Sequence, residues 1–297
     1  METFAFSKTM NNTTRSSFVL IAAVVAAGFA FAAPRVNAQS APPAGTDRIA
    51  VKLDDPSRPA LVKASLINGG ITVKGYEGTE VIVEARTRSQ QEEERSPAPG
   101  GMKRLSILRT GLSVEEDNNE VRIGTDSHMR AIDLTISVPL HTSLTLRAIN
   151  DGDIVVTDVD GELDVNNTNG TVTLKNVSGG CVAHALNGRV LVTFVKVNSQ
   201  KPMAFSSLNG DIDVTFPADL KASLTIRSDR GDVFSDFDVQ LQAAAPQQTV
   251  EDGKGKGGKY RVKIDKTVHG TINGGGQEIQ LTNFQGAIYI RKAGSGR

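Results

Sequence analysis

The chain has 297 residues, with 33 basic against 33 acidic side chains, one cysteine, no tryptophan and 29 glycines. This charge balance gives no electrostatic basis for nucleic-acid binding, which leans on clustered Lys and Arg, and one cysteine excludes an intramolecular disulfide. Three tyrosines and no tryptophan are poor material for a deep aromatic pocket, whereas abundant glycine suits many short strands and turns.

Lys8 and Arg15 open the chain ahead of an uncharged apolar run, residues 18–33, and Val36-Asn37-Ala38 places small residues at −3 and −1 of a cut before Gln39. That layout predicts a secretory signal peptide over residues 1–38, and the run is short for a membrane span. No cysteine follows directly, which excludes a lipid anchor at that point. Nothing later approaches the roughly 18 apolar residues a spanning helix needs. The remaining chain carries a net charge of about −2 and is long enough for a sizeable core.

Residues 39–48 read as a flexible leader and 49–88 as early strands. SQQEEERSPAPGG (89–101) is a polar, Pro- and Gly-containing excursion. Residues 106–125 form strands around an Asp-Asn-Asn turn, and AIDLTISVP and LTLRAI feed a repeat block. Residues 241–260 make a second excursion before RVKID returns to strand, and 293–297 form a frayed tail. Both ends carry the same repeat, so residues 49–292 form one domain.

Take the glycine of each Asn-Gly-like pair as position zero. Positions +2, +4 and +7 are Ile154, Val156 and Val159 after Gly152; Val172, Leu174 and Val177 after Gly170; and Val190, Val192 and Val195 after Gly188. Gly210 gives Ile212, Val214 and, one place early, Phe216. Gly69 gives Ile71, Val73 and Tyr76. TINGGGQEIQLTNFQG fits after one inserted residue, with Ile279, Leu281 and Phe284. A second glycine follows at +9 (Gly161, Gly179, Gly78), with Gly286 equivalent in the last copy. Leu163/Val165, Cys181/Ala183 and Ile288/Ile290 lie beyond three of them.

Alternation with period two sends one set of side chains to a core and the other to solvent. Equivalent apolar positions then stack into columns if each unit is one coil of a solenoid. Asn-Gly between alternating runs is also a strong hairpin signal, so an antiparallel β-meander or sandwich is the alternative. Columns that hold register over copies 18 residues apart, at Gly152, Gly170 and Gly188, favour an all-β, single-stranded β-solenoid or β-helix-like repeat domain.

The units LNGDIDVTF, NTNGTVTLKNVSGG and INDGDIVVTDVDGELDV resemble the bacterial putative-adhesin family of unknown function, over roughly residues 46–292. The resemblance implies an exported or envelope protein of glycine-punctuated strands. It carries no catalytic motif.

Chemistry is sparse. Asp151, Asp153, Asp158 and Asp160 cluster, as do Asp211 and Asp213, with Asp229 and Asp232 further on. A calcium ladder needs acids at one place in adjacent turns, and Thr171 and Arg189 interrupt the column Asp153, Thr171, Arg189, Asp211, Asp232. Asp153, Arg189 and Asp211 on one face are the set a polysaccharide-cleaving enzyme would use. His128, His141, His184 and His269 show no metal-ligand spacing. Cys181, in the column of Leu163 and Ile288, reads as a buried small hydrophobe. GKGKGGK (253–259) lacks the phosphate-loop pattern and reads as a basic hairpin tip open to anionic glycans.

No catalytic, cofactor-binding or metal-binding residue is assigned. The expected function is an exported, non-enzymatic β-repeat protein of the cell envelope: an adhesin or surface-interaction module in the periplasm, on the outer surface or secreted. Its partner is an envelope, glycan or surface ligand, with no nucleic acid and no transmembrane span after cleavage. A polysaccharide-acting β-helix enzyme and a purely structural or signal-linked envelope protein are the alternatives.

Overall fold

The computed structural model describes residues 46–88, 110–126, 130–198, 200–242, 248–252, 260–264 and 267–294, all within one compact unit, Pro42–Arg297. The predicted signal peptide, residues 39–45, the loop 89–101, His128 and GKGKGGK lie outside the described residues.

Every regular element among the described residues is a strand. The first, β1 (Thr46–Lys52), begins inside the stretch read as a leader, because it pairs antiparallel with residues 80–86. Then follow β2 (Ala60–Asn68), β3 (Ile71–Tyr76), β4 (Glu80–Thr87), β5 (Leu112–Asp117), β6 (Glu120–Thr125), β7 (Ile132–Pro139) and β8 (Thr142–Asn150). The repeat block supplies β9 (Ile154–Thr157), β10 (Leu163–Asn169), β11 (Val172–Gly179), β12 (Cys181–Asn187), β13 (Val190–Val197), β14 (Met203–Asn209), β15 (Ile212–Phe216), β16 (Ala222–Ser228) and β17 (Val233–Ser235). The chain ends with β18 (Val239–Leu241), β19 (Gln248–Asp252), β20 (Tyr260–Ile264), β21 (Val268–Ile272), β22 (Gln277–Gln285) and β23 (Ile288–Lys292).

Sheet A has the order β1-β4-β7-β3-β9-β11-β13-β15-β23-β17, and sheet B the order β18-β21-β16-β22-β14-β12-β10-β8-β2-β6-β5. From β7 to β17 and from β6 to β16 every neighbour is parallel. The described residues therefore form a two-sheet solenoid of eight rungs. Antiparallel pairs, which a meander requires throughout, occur at the ends, where β4, β1, β5, β21 and β18 are added, and in the separate β19–β20 hairpin.

Rung order departs from chain order at both ends. The rung β6/β7 folds outside β2/β3, and β22/β23 is inserted between β14/β15 and β16/β17. β1 and β4 extend sheet A and β5 sheet B at the amino-terminal end, and β21 and β18 extend sheet B at the other. β2/β3 and β22/β23 serve as internal rungs instead.

The predicted columns are the core. In sheet A, Ile154, Val172, Val190, Ile212 and Ile288 lie in register and fully buried. Sheet B answers with Leu144, Leu163, Cys181, Met203 and Ile279. Each buried apolar side chain contributes about 1.5–3 kcal/mol relative to exposure, and no coil buries its face without neighbours.

Three details of the expected columns change. Ile288 pairs with Ile212 in sheet A, so Cys181 shares its sheet-B column with Leu163 but not Ile288. In the last copy Asn209 pairs with Gln285, so its turn glycine is Gly286; QEIQLTNF is the preceding sheet-B strand, and Phe284 faces solvent. Val195 is 62% exposed, and Phe194 takes the core position. The cause is a bulge at Lys175–Asn176 in β11 that β13 lacks, so Phe194 lands opposite Val177. It then stacks on Phe216 (centroids 5.4 Å apart, planes at 2°), with Phe205 edge-on to both.

The Asn-Gly turns answer to stacking. A Cβ on Gly170 or Gly188 would stand 2.2 or 2.1 Å from the carbonyl oxygen of the glycine one rung back. Close backbone approach, rather than backbone dihedral, requires glycine at these two turns. The preceding asparagines form a ladder, Asn209 to Asn187 to Asn169 to Asn150, each Nδ2 donating to the next Oδ1 at 2.7, 2.8 and 2.9 Å. Inside the turn, Asn167 Nδ2, Ser207 Oγ and Asn283 Nδ2 donate to the carbonyls of Gly152, Gly188 and Gly210. Buried turn carbonyls are satisfied in this way.

Candidate interaction surfaces

The stack brings Asp153 and Asp211 to one edge but gives them backbone work, as it does Asp133. Asp153 Oδ1 accepts the Thr171 amide at 2.7 Å, Asp211 Oδ1 the Ala287 amide at 2.8 Å, and Asp133 Oδ1 the Gly70 amide at 3.0 Å. Each carboxylate ties its own rung to the next. Asp153 and Asp211 stand three rungs apart, about 14 Å at the strand spacing. A carboxylate pair acting on one glycosidic bond needs about 5–9.5 Å. The set Asp153, Arg189, Asp211 is thus a column of turn residues that does not converge on one bond.

The other candidates are equally dispersed. Asp158 and Asn176 hold positive φ (59° and 54°), with Asn176 Nδ2 donating to Asp158 Oδ1 at 3.1 Å. His141 Nδ1 lies 3.0 Å from Asp160, His184 Nδ1 2.7 Å from Ser206 Oγ, and His269 Nδ1 3.4 Å from Thr225 Oγ1. Among the described residues no group of three or more His, Cys, Asp or Glu is placed to hold a metal. Cys181 is buried, and burial pushes its thiol pKa up, away from the reactive thiolate.

What remains is the outward faces. On sheet B the cations meet carboxylates: Lys63 and Arg122 both reach Glu120 at 2.7 Å, and Arg147 lies 3.8 Å from Asp164. Lys63, Arg122 and Arg147 edge an open groove of about 590 Å³, floored beside Gly124. Sheet A differs. One outward column reads Thr135, Thr72, Val155, Thr173, Leu191, Asp213, Tyr289, Phe234. The other runs Ser137, Lys74, Thr157, Lys175 and then Thr193, Thr215, Arg291. Lys74 and Lys175 therefore stand among hydroxyls, both paired in register with Thr157.

At the end of this face Arg291 Nε contacts Asp213 Oδ1 at 2.6 Å, and its guanidinium sits 5.0 Å from the Tyr289 ring centre. Phe234 stacks on Tyr289 with centroids 5.3 Å apart and planes at 13°. The Asp213 contact raises the Arg291 pKa. Neither this pile nor the asparagine ladder is among the features the sequence pattern predicts. Asn at −1 of three successive turns was the available signal for the ladder. Phe234 and Tyr289 lie 55 residues apart and meet only because β23 is inserted beside β17.

The Toastrack DUF4097 family model matches residues 113–273. A solved structure of a putative cell adhesion protein from Clostridium sporogenes is similar at 12% identity and a TM-score of 0.40, covering 83% of this chain and 99% of that one. A putative adhesin from Bacteroides fragilis is similar at 11% identity and a TM-score of 0.33, covering 83% and 96%. No curated protein matches the chain.

Proposed function

The chain belongs to the Toastrack DUF4097 family, and from that premise we propose that it is an exported, non-enzymatic interaction module of the cell envelope, binding anionic polymer through the outer face of sheet A. One observation carries the reading: Lys74 and Lys175 stand in a column of hydroxyls, whereas Arg48 and Arg291 of the same sheet and Lys63, Arg122 and Arg147 of sheet B each meet a carboxylate. Unmatched ammonium groups next to Thr hydroxyls suit a chain bearing carboxylate or phosphate groups at intervals of a few rungs, each about 4.8 Å. The apolar run 18–33 and Val36-Asn37-Ala38 support export. Among the described residues no helix is long and apolar enough to cross a membrane.

The test has two arms. Cell fractionation with N-terminal sequencing is expected to find the protein outside the cytoplasm, beginning at Gln39. Purified mature chain is expected to bind isolated anionic envelope polysaccharide in a salt-sensitive manner, with Lys74→Glu/Lys175→Glu reducing affinity at least tenfold and Lys63→Glu leaving it unchanged. A cytoplasmic protein retaining Met1 sinks the export reading. Binding indifferent to the Lys74/Lys175 exchange sinks the face assignment.

A further inference from the structure

The two ends of the stack expose different edges. At the amino-terminal end sheet A stops at β1, with Asp47, Arg48 and Lys52, and sheet B at β5, with Glu115, Glu116 and Asp117. Charged edge strands resist the addition of another strand. At the opposite end the outermost strands are β17 (Val-Phe-Ser) and β18 (Val-Gln-Leu), which carry no charge. Val233 continues the column of Ile212 and Ile288, both fully buried, yet is 42% exposed, and Leu241 is 66% exposed.

This end is also stepped. Beyond the last common rung, β16/β17, sheet B continues with β21 and β18, while among the described residues sheet A stops. β21 runs antiparallel to β16, and β18 antiparallel to β21, so β18 keeps the direction of the sheet-B rungs. Short turns reverse the chain between sheets, so β17 runs the other way. A two-fold axis along the strands would set the two extra strands of one copy into the two vacant places of the other, bringing β17 antiparallel to the second copy's β18, twice.

The side chains agree with that register. Val239 pairs with the buried Ile272, so Val239 and Leu241 point inward and Gln240 outward; Val233 and Ser235 point inward and Phe234 outward with Tyr289. Antiparallel alignment opposes Val233 to Leu241, Phe234 to Gln240, and Ser235 to Val239. The two exposed apolar residues at core positions then cover one another. Phe234 is 50% exposed at the end of the pile formed with Tyr289, facing the place the added strand would take.

We propose that this end is a homodimer interface: a second copy of the chain pairs its β18 with β17 in an isologous contact that closes on itself. The charged edges at the other end prevent the pairing from continuing into a filament.

Light scattering on the purified mature chain is expected to give a dimer, and Val233→Lys or Leu241→Lys to halve the mass with the circular dichroism spectrum unchanged. Oxidation of the Phe234→Cys/Gln240→Cys double variant is expected to give a covalent dimer, and either single variant none. Buried Cys181 leaves this readout clean. A monomer at every concentration overturns the proposal, as does a dimer untouched by Leu241→Lys. A monomer whose residues 233–235 exchange amide hydrogen slowly shows the edge covered by its own chain, with the same consequence.

Discussion

The amino-terminal end of the stack is closed in both sheets, and the carboxy-terminal end in one. β4 and β1 fold back over β7, and the apolar residues they cover, Ile132, Leu134 and Ile136 of β7 with Val81 and Val83 of β4, are at most 1% exposed. β5 covers β6, and the Thr110 amide donates to Asp47 at 3.1 Å, tying the approach to β5 onto β1. At the other end β21 and β18 extend sheet B, while sheet A, among the described residues, stops at three exposed ones. The difference teaches that stacking stabilises a rung only from its two sides. The last rung has one side, and the chain must supply the other or leave it to a partner.

The largest effect should come from the stacking glycines. Gly170→Ala, trapped between two rungs, is expected to cost about 3 kcal/mol, whereas Gly231→Ala should cost less than half of that. Its Cβ would stand 1.8 Å from the Gly286 carbonyl, but its rung can shift outward. Urea denaturation of both variants measures the gap, and equal losses would show that the end rung is held as firmly as the middle. Next come the core positions. Ile136→Ala should cost about 2–5 kcal/mol, and Val233→Ala, half-exposed, under about 1 kcal/mol in the monomer. A loss at Val233 matching that at Ile136 would mean that the two ends are equally closed.

The smallest effect concerns the Arg88–Asp133 pair, which holds β4 to β7 at the closed end. Burial pushes the Asp133 pKa up, but the Arg88 hydrogen bonds and the Gly70 amide outweigh it, leaving the carboxyl below its usual value. A depressed carboxyl stabilises above its unfolded value, about pH 3.9, and the contribution is lost as pH falls through the lower folded value. Both side chains are more than one-third exposed, so the term stays under about 1 kcal/mol. Asp133→Asn should lower the urea midpoint at neutral pH and flatten its fall below pH 4. An acid limb identical to the wild type would remove the pair from the account of this end.

Much of the coil was legible because its period is local. Val172, Leu174 and Val177 recur at fixed distances from Gly170, and alternation with glycine at each turn is readable from eighteen residues. Where local pattern and structure differ, a neighbour decides. Val195 and Phe194 are both apolar and adjacent, and only the bulge in β11 determines which points inward. Ile288 fits either sheet by pattern, and the Asn209–Gln285 pairing assigns it. Asp153 and Asp211 look like chemistry in a column, until the amides of Thr171 and Ala287 occupy them.

That the chain is all-β, that its turns carry glycine and that one face of each strand is apolar all follow from local pattern, because strand periodicity and turn sterics act within a few residues. Tertiary structure alone decided the order of the rungs. β2/β3 and β22/β23 lie one rung in from the ends, and β17 is left exposed, through pairings between residues as far apart as Ile71 and Ile154. Those pairings use backbone hydrogen bonds that every strand offers alike. The choice among them rests on packing across the whole stack, which no local stretch encodes.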